Sequence, residues 1–386
     1  MTSGSRREAG WLAGWERTGW GRTGWGRTDW GIVIAGLGLS GIGAALVWSA
    51  TRHTAGSGFL LKHVVNTAVG VAGFVVVTRI DHRTLRAWAP WVYLLSLAGL
   101  LAVLSPLGST INGSRSWIQL PGGFSMQPSE LAKVALSVGL AMVLAEGRDR
   151  DRAPGARDLV AAWGMVLVPV ALVMLQPDLG SAVVLVAMAF AVVAVAGAPT
   201  LLLAGTAVVG AAGVLAMFTT NLLSAYQRAR LTAFLDPAVD PEGIGYQTRQ
   251  VRAAISSGGW FGQGLLHGSQ TQGGYVPFQQ TDFVFSVAGE ELGFVGAAGI
   301  VVLIVFLVLR TLVIGARSDP FGQLVCVGVA MWFGVQAFEN IGMNLGIMPV
   351  TGLPLPFLSY GGSSMFAGWL ALALVNNAHV SGVGHR

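Results

Sequence analysis

The chain has 386 residues, 53% hydrophobic and only 11% charged, with 55 glycines and a positive mean hydropathy, which together exclude an ordinary soluble domain. Its single cysteine, Cys326, lies in an apolar run, which excludes disulfides within the chain and any cysteine-built metal site. The net charge of +5 comes from arginines scattered over polar loops, a distribution that excludes a nucleic-acid partner.

Residues 1–29 form a polar tail, at whose end, over residues 14–30, Trp15, Trp20, Trp25 and Trp30 recur every five residues among arginines. Five matches no helical period, so the tail reads either as a disordered segment resting on an anionic inner leaflet or as a low-complexity expansion without a role. It lacks the apolar core and small-residue site of a cleavable signal peptide. Ten apolar stretches follow, at about 31–50, 60–78, 88–104, 130–146, 159–175, 181–197, 200–218, 284–309, 321–342 and 357–377. They predict an all-α, polytopic membrane domain of about ten transmembrane helices over residues 30–378, then a short tail, 379–386. A large extracytoplasmic loop, 219–283, separates helices seven and eight. An even number of spans puts both termini on one side, and most of the 23 Lys and Arg fall on that side, so it is cytoplasmic. Lys62 and His63 sit near the outer end of the second span, where snorkelling accounts for them.

The outward loops are unusual. Residues 105–129 carry Arg115, Trp117, Gln119, Gln127 and Ser129, and the fourth span then opens with Glu130 and Lys133 one helical turn apart. That pair is either a structural ion pair or one that also touches substrate. The connector at 146–158 reads as solvated and without a catalytic role. Asp178, in the turn QPDLG, either caps the sixth span or joins a cavity. Within the loop 219–283, Ala225–Leu235 and Tyr246–Ser256 predict two short interfacial helices around a DP turn. The glycines of 257–274 would let backbone N–H groups converge on an anion such as a diphosphate, or serve close packing. In Asn340–Ser364, Pro349, Pro354 and Pro356 force irregular polar backbone to the outer membrane boundary, tolerable where it is buried in protein or lines water.

The stretch YVPFQQTDFVFSVAGEELG, Tyr275–Gly293, places Asp282, Glu290 and Glu291 beside lipid-compatible sequence. An acid at mid-bilayer depth costs roughly 2.5 to 3.5 kcal/mol on insertion scales, so such residues mark a cavity or pathway. Asp282, Ser286 and Gly289 would share one helical face with Asp282 at its mouth, making Asp282 the candidate reactive group. Neither lysine, Lys62 or Lys133, follows a glycine, so no Walker A loop exists and no nucleotide is expected; G-x-S-x-G and H-E-x-x-H are also missing. Carboxylate chemistry at a membrane face is what these exclusions leave.

The runs NGSRSWIQLPGGFSMQPSELAK, MLQPDLGSA, the loop pattern YQ...R...FLDP...GYQ...SGG..G.G, TDFVFSVAGEELG and PVTGLPLPFLSYGGSS, in this order and over nearly the whole chain from Asp29, resemble the SEDS family (shape, elongation, division and sporulation). Pro349–Gly352, PVTG, and the lack of a long tail resemble its elongation branch, RodA, more than the division paralogue FtsW. The resemblance implies a peptidoglycan glycosyltransferase that polymerises lipid II into glycan strands for elongation and cell shape at the outer face of the bacterial cytoplasmic membrane. Asp282, matching the family's TDF aspartate, is then the base that deprotonates the acceptor 4-hydroxyl while undecaprenyl diphosphate leaves with inversion. One carboxylate suffices because the donor is already activated, whereas hydrolysis of an unactivated glycoside needs two. Leaving-group charge would be met by a divalent cation, Mg2+ or Mn2+, or by Arg115, Lys133, Arg228 and Arg249. The substrate-binding candidates are Arg115, Trp117, Gln127, Ser129, Glu130, Lys133, Asp178, Arg228, Gln247, Arg249, Thr281 and Ser359, with Glu290, Glu291, Glu339 and Asn340 supporting the cavity. The expected partners are lipid II, the growing strand, a class B penicillin-binding protein seated on spans eight and nine, and other elongation-complex membrane proteins. The chain departs from the family at Phe278, commonly Glu, and at Ser116, commonly basic. A lipid II flippase is the alternative from another class; clustering of the polar residues at the outer side rather than the midplane argues against it.

Overall fold

The structure, a computed structural model, describes residues 27–111, 114–148, 154–219, 225–235 and 243–383. The tryptophan-repeat tail before residue 27, the centre of the 146–158 connector, the DP turn and the last three residues lie outside the described residues. Nine of the ten predicted spans each overlap a single helix: α1 Trp30–Ala55, α2 Gly58–Thr78, α3 His82–Leu104, α4 Pro128–Arg148, α5 Ala156–Leu175, α6 Leu179–Val195 and α7 Thr200–Thr219. After the loop come α12 Gly293–Gly315, α13 Pro320–Leu345 and α14 Gly362–Val383. Seven of them, α1 to α5, α12 and α13, are long and apolar enough to cross a membrane. The chain is a mainly helical, polytopic membrane protein.

The helices form an inner and an outer set. Of the apolar stretch of α4, 83% is buried, and of α13, 72%, against 17% for α2 and 22% for α3. The inner pair therefore spends its apolar side chains on protein contacts, with α6 and α14 around it, while the outer helices turn theirs to lipid. Trp332 on α13 and Trp369 on α14 fill the centre, and Phe357 stacks edge-on against Trp369 at 5.8 Å.

Asp29, Asp81, Asp178 and Asp319 cap α1, α3, α6 and α13 by accepting backbone N–H groups of the first turn. At the end of the bundle away from Asp282, Arg310 of α12 pairs with Asp29, whose own N–H donates to Asn376 of α14 at 2.9 Å. The neighbouring Asn377 meets His82 at 2.8 Å. These contacts tie four helices together at the termini side.

Two features differ from the sequence reading. Ahead of α4 the strands β1 Gly108–Ile111, β2 Ser114–Leu120 and β3 Phe124–Met126 form a three-stranded antiparallel sheet, whereas the other described elements are helical. The eighth predicted span is broken: α11, Val284–Glu291, stops at Leu292, and Gly293 takes φ 67°, a left-handed conformation that only glycine adopts freely. The loop before it holds α8 Ala225–Leu235, α9 Ile244–Ser257 and α10 Ser269–Gln272.

Candidate active site

Asp282 lies in a turn ahead of α11, so it does not share a helical face with Ser286 and Gly289 as its spacing suggested. The turn is held from every side. The carbonyl of Asp282 accepts from Nδ2 of Asn340 at 2.8 Å and of Asn344 at 3.2 Å. Asn344 also accepts from the N–H of Ser286 at 3.1 Å, and the next residue, Phe283, is 1% exposed. The N–H of Tyr360 donates to the carbonyl of Gln280 at 2.8 Å, while Gln279 donates to the carbonyl of Ala50 at 2.7 Å. Phe278, where the chain departs from the family, has φ 53°, a costly conformation for a bulky residue that survives only where its surroundings impose it.

Asp282 as a residue is half-buried, and its carboxylate faces Gly352 and Arg230. Gly352 takes φ 76°, and a Cβ there would stand 3.2 Å from the Arg230 guanidinium and 3.5 Å from Asp282 Oδ2, so glycine keeps this approach open. Burial pushes the Asp282 carboxyl up to about 6, against the opposing charge of Arg230 and a hydrogen bond from Thr281; the charge of Asp178 adds to the rise. A carboxylate tuned there is deprotonated at neutral pH yet basic enough to take a proton in a transition state.

Beneath it runs a polar stripe on α13. Trp332, Gln336, Asn340 and Asn344 follow at four-residue steps and share one face. Gln336 accepts from Lys133 Nζ at 2.7 Å and from Trp332 Nε1 at 2.6 Å, and donates to the carbonyl of Pro354 at 2.8 Å. Asn340 donates also to the carbonyl of Leu353 at 2.7 Å. Lys133, wholly buried, pairs with Glu130 at 2.7 Å and lies over the Trp332 ring. Gln127 donates to Asp178 at 3.0 Å, and Ser181 to Asp178 at 2.7 Å and to Ser129 at 3.4 Å. Asp178 is thus both a helix cap and a member of this buried polar network. Glu339 is 2% exposed, and neither of its carboxylate oxygens has a hydrogen-bond partner.

Glu290 and Glu291 face away from this stripe, into the glycine-rich loop. Glu290 accepts from the N–H groups of Gln270 and Thr271 at 2.6 and 2.9 Å and from the Thr271 hydroxyl at 2.7 Å. Glu291 accepts from the Ser49 hydroxyl at 2.6 Å, Gln272 Nε2 at 3.1 Å and the N–H of Leu266 at 3.2 Å. The anion on which these backbone N–H groups converge is the chain's own pair of carboxylates.

The remaining candidates divide by place. Ser359 accepts from the N–H of Leu355 at 2.7 Å and shapes the proline-rich loop, and Thr281 stands beside Asp282. Arg115 is exposed on β2 and donates to the carbonyl of Ser105 at 2.7 Å; Trp117 on the same strand and Gln247 on α9 are half-buried. Arg228 and Arg249 are exposed. The guanidinium that bears on Asp282 is that of Arg230, two residues beyond Arg228. Arg230, Gln336 and Asn344 escaped the sequence reading, although the four-residue steps from Asn340 mark the last two. Among the described residues no group of three or more His, Cys, Asp or Glu side chains gathers as a metal cage.

The family model of the FtsW, RodA and SpoVE cell cycle proteins matches residues 31–382. The chain is 38% identical over 339 residues to the probable peptidoglycan glycosyltransferase FtsW of Trichlorobacter lovleyi, covering 86% of this chain and 87% of that protein. It is 36% identical to the peptidoglycan glycosyltransferase MrdB of Escherichia coli K12, covering 87% and 89%. A solved chain from a peptidoglycan synthase complex that coordinates polymerization and crosslinking superposes with a TM-score of 0.77 at 34% identity, covering 91% of this chain and 97% of that one. This polytopic membrane protein, with its acid held at one end of the helix bundle, belongs to the FtsW/RodA/SpoVE family.

Proposed function

We propose that this chain is a peptidoglycan glycosyltransferase of the elongation branch that polymerises lipid II at the outer face of the bacterial cytoplasmic membrane. Its relatives' named activity supports the reaction class, and PVTG at Pro349–Gly352 supports the branch. The carrying observation is the Asp282 turn: a carboxylate that burial raises to about 6, faced by Arg230 and gripped through its backbone by Asn340 and Asn344.

In this reading Asp282 takes the proton of the acceptor 4-hydroxyl as that oxygen bonds to C1 of the donor sugar. The C1–oxygen bond to the diphosphate breaks on the opposite face, so the α-linked donor gives a β-linked strand and undecaprenyl diphosphate leaves with the bonding pair. Arg230, facing Asp282, offsets the charge that burial would otherwise leave unmet on the base. A divalent cation, Mg2+ or Mn2+, would be carried on the substrate diphosphate with one or two carboxylates, the usual mode for magnesium, rather than in a protein cage.

Ten spans with both termini cytoplasmic put the 219–283 loop and Asp282 outside, with residues 1–29 and 379–386 as inner tails. A class B penicillin-binding protein on α12 and α13 is the proposed partner, in line with the synthase complex named for the solved relative. The division branch is the second reading, favoured by the 38% identity to an FtsW relative. Purified Asp282→Asn protein, supplied with lipid II and the cognate penicillin-binding protein, is expected to make no glycan strands while keeping its thermal unfolding profile; undiminished polymer would refute the assignment.

A further inference from the structure

The turn that carries Asp282 also carries an aromatic ring in an unfavourable place. Phe278 lies four residues ahead of Asp282, and its carbonyl accepts from the N–H groups of Thr281 at 3.1 Å and Phe283 at 3.4 Å, so ring and acid stand on one closed turn. Phe278 is 39% exposed and has φ 53°, a cost in both surroundings and backbone for a large apolar residue. The apolar core does not account for it. Val276 and Phe283, on either side, are 3% and 1% exposed and share one buried cluster with Met343 and Val350, of which Phe278 is not a member. These neighbours hold the segment in place and leave the ring of Phe278 outside. Strained backbone persists where its surroundings over-determine it, and it gathers at ligand sites.

Around the ring the chain is polar but uncharged. From Ala253 to Thr281 there is no Asp, Glu, Lys or Arg. Gln280 and Thr281, between ring and acid in the sequence, are half-buried, and the Gln280 side-chain amide enters no hydrogen bond among the described residues. The Gln280 carbonyl accepts from the N–H of Tyr360 at 2.8 Å. That bond brings a second ring to the turn, half-buried and packed edge-on against Phe59 at 4.8 Å.

A flat apolar face beside an amide and a hydroxyl, without charge, matches a neutral sugar ring. The C–H groups on the faces of a pyranose are made slightly positive by the oxygens they adjoin and settle on the negative face of a phenyl ring. Its hydroxyl and acetamido groups exchange hydrogen bonds with a side-chain amide that both donates and accepts. An isoprenoid chain would use the ring and leave the amide unmet.

We infer that Phe278 is the stacking platform for the acceptor sugar, holding the N-acetylglucosamine ring so that its 4-hydroxyl meets Asp282. This rests on the reading of Asp282 as the base and adds the residue that selects and holds the ring.

The full-length chain in nanodiscs is titrated with the soluble disaccharide N-acetylglucosaminyl-β-1,4-N-acetylmuramic acid, which has neither tail nor diphosphate. Saturation-transfer NMR is expected to mark the ring C–H groups of the N-acetylglucosamine. Phe278→Leu keeps an apolar side chain without a π face and should weaken binding roughly three- to tenfold, whereas Phe278→Trp should bind like the parent. Both variants meet the same φ, so a difference between them is not a difference in strain. With lipid II, Phe278→Leu should raise KM more than it lowers kcat. Equal transfer in the parent and in Phe278→Leu overturns the proposal, and so does absence of transfer in the parent. A Phe278→Leu defect confined to binding of undecaprenyl monophosphate would make the ring a contact for the lipid tail; one confined to capture of the penicillin-binding protein would make it a partner contact. Either overturns the sugar platform. Asp282→Asn should keep the transfer signal, so the base assignment and the sugar contact can fail separately.

Discussion

Asp282 owes its chemistry to three neighbours acting on different atoms. Burial raises its carboxyl, Arg230 lowers it, and the two asparagines hold its carbonyl rather than its carboxylate. In the proposed reading, because the folded value, about 6, lies above the ordinary 3.8, Asp282 as base is protonated and idle below that pH. The rate is expected to rise with pH through about 6 and then level off. Arg230→Gln removes the opposing charge, so the rising limb should move to higher pH as well as the rate falling. A profile that stays in place would remove Arg230 from the site. Asn344→Ala removes one of two donors to the Asp282 carbonyl and one of two acceptors of the Ser286 N–H, leaving Asn340 and the Phe283 carbonyl in place, at about 0.5 to 1.5 kcal/mol for each lost bond. Its unfolding temperature should fall and kcat should drop more than KM rises. At this scale the acid was legible from its cost beside a membrane span, whereas Arg230 was not. Two residues apart on α8 lie on nearly opposite faces, so whether Arg228 or Arg230 meets the cavity depends on how that short helix is rotated against the bundle.

At the scale of elements, α13 couples the ion pair to the acid. Gln336 holds Lys133, and Asn340 and Asn344 hold the turn, so one helix face carries the register between two sites distant in sequence. Lys133→Met would leave the Glu130 carboxylate buried without its cation, a loss of about 3 to 5 kcal/mol for breaking one half of such a pair. The double variant Glu130→Gln/Lys133→Met should recover much of that stability in thermal unfolding; equal losses in both would mean the pair is not energetically coupled. The glycine-rich loop shows the opposite use of charge. Glu290 and Glu291 are buried acids satisfied by N–H and hydroxyl donors from the loop they organise. Their burial explains why the loop needs glycine where its backbone meets α11, as at Gly262.

At the scale of the molecule, the bundle puts irregular backbone and acids at one end and the arginine-rich connectors at the other. In intact cells an impermeant maleimide is expected to label Ser256→Cys, whereas the exposed Ala316→Cys should react only after permeabilisation. The reverse pattern would invert the orientation. The sequence by itself determined that the chain is a polytopic helical membrane protein, where its ten long helices run and which acid is out of place. Hydropathy and charge cost are local properties, read residue by residue against the bilayer. Only the tertiary structure decided that α11 breaks from α12, that residues 105–127 pair as strands, and that the loop's anion is internal. It also decided that Arg230, Gln336 and Asn344 complete the surroundings of Asp282. Those outcomes depend on which surfaces of separate helices meet, and such long-range pairings leave no periodic trace in any one segment.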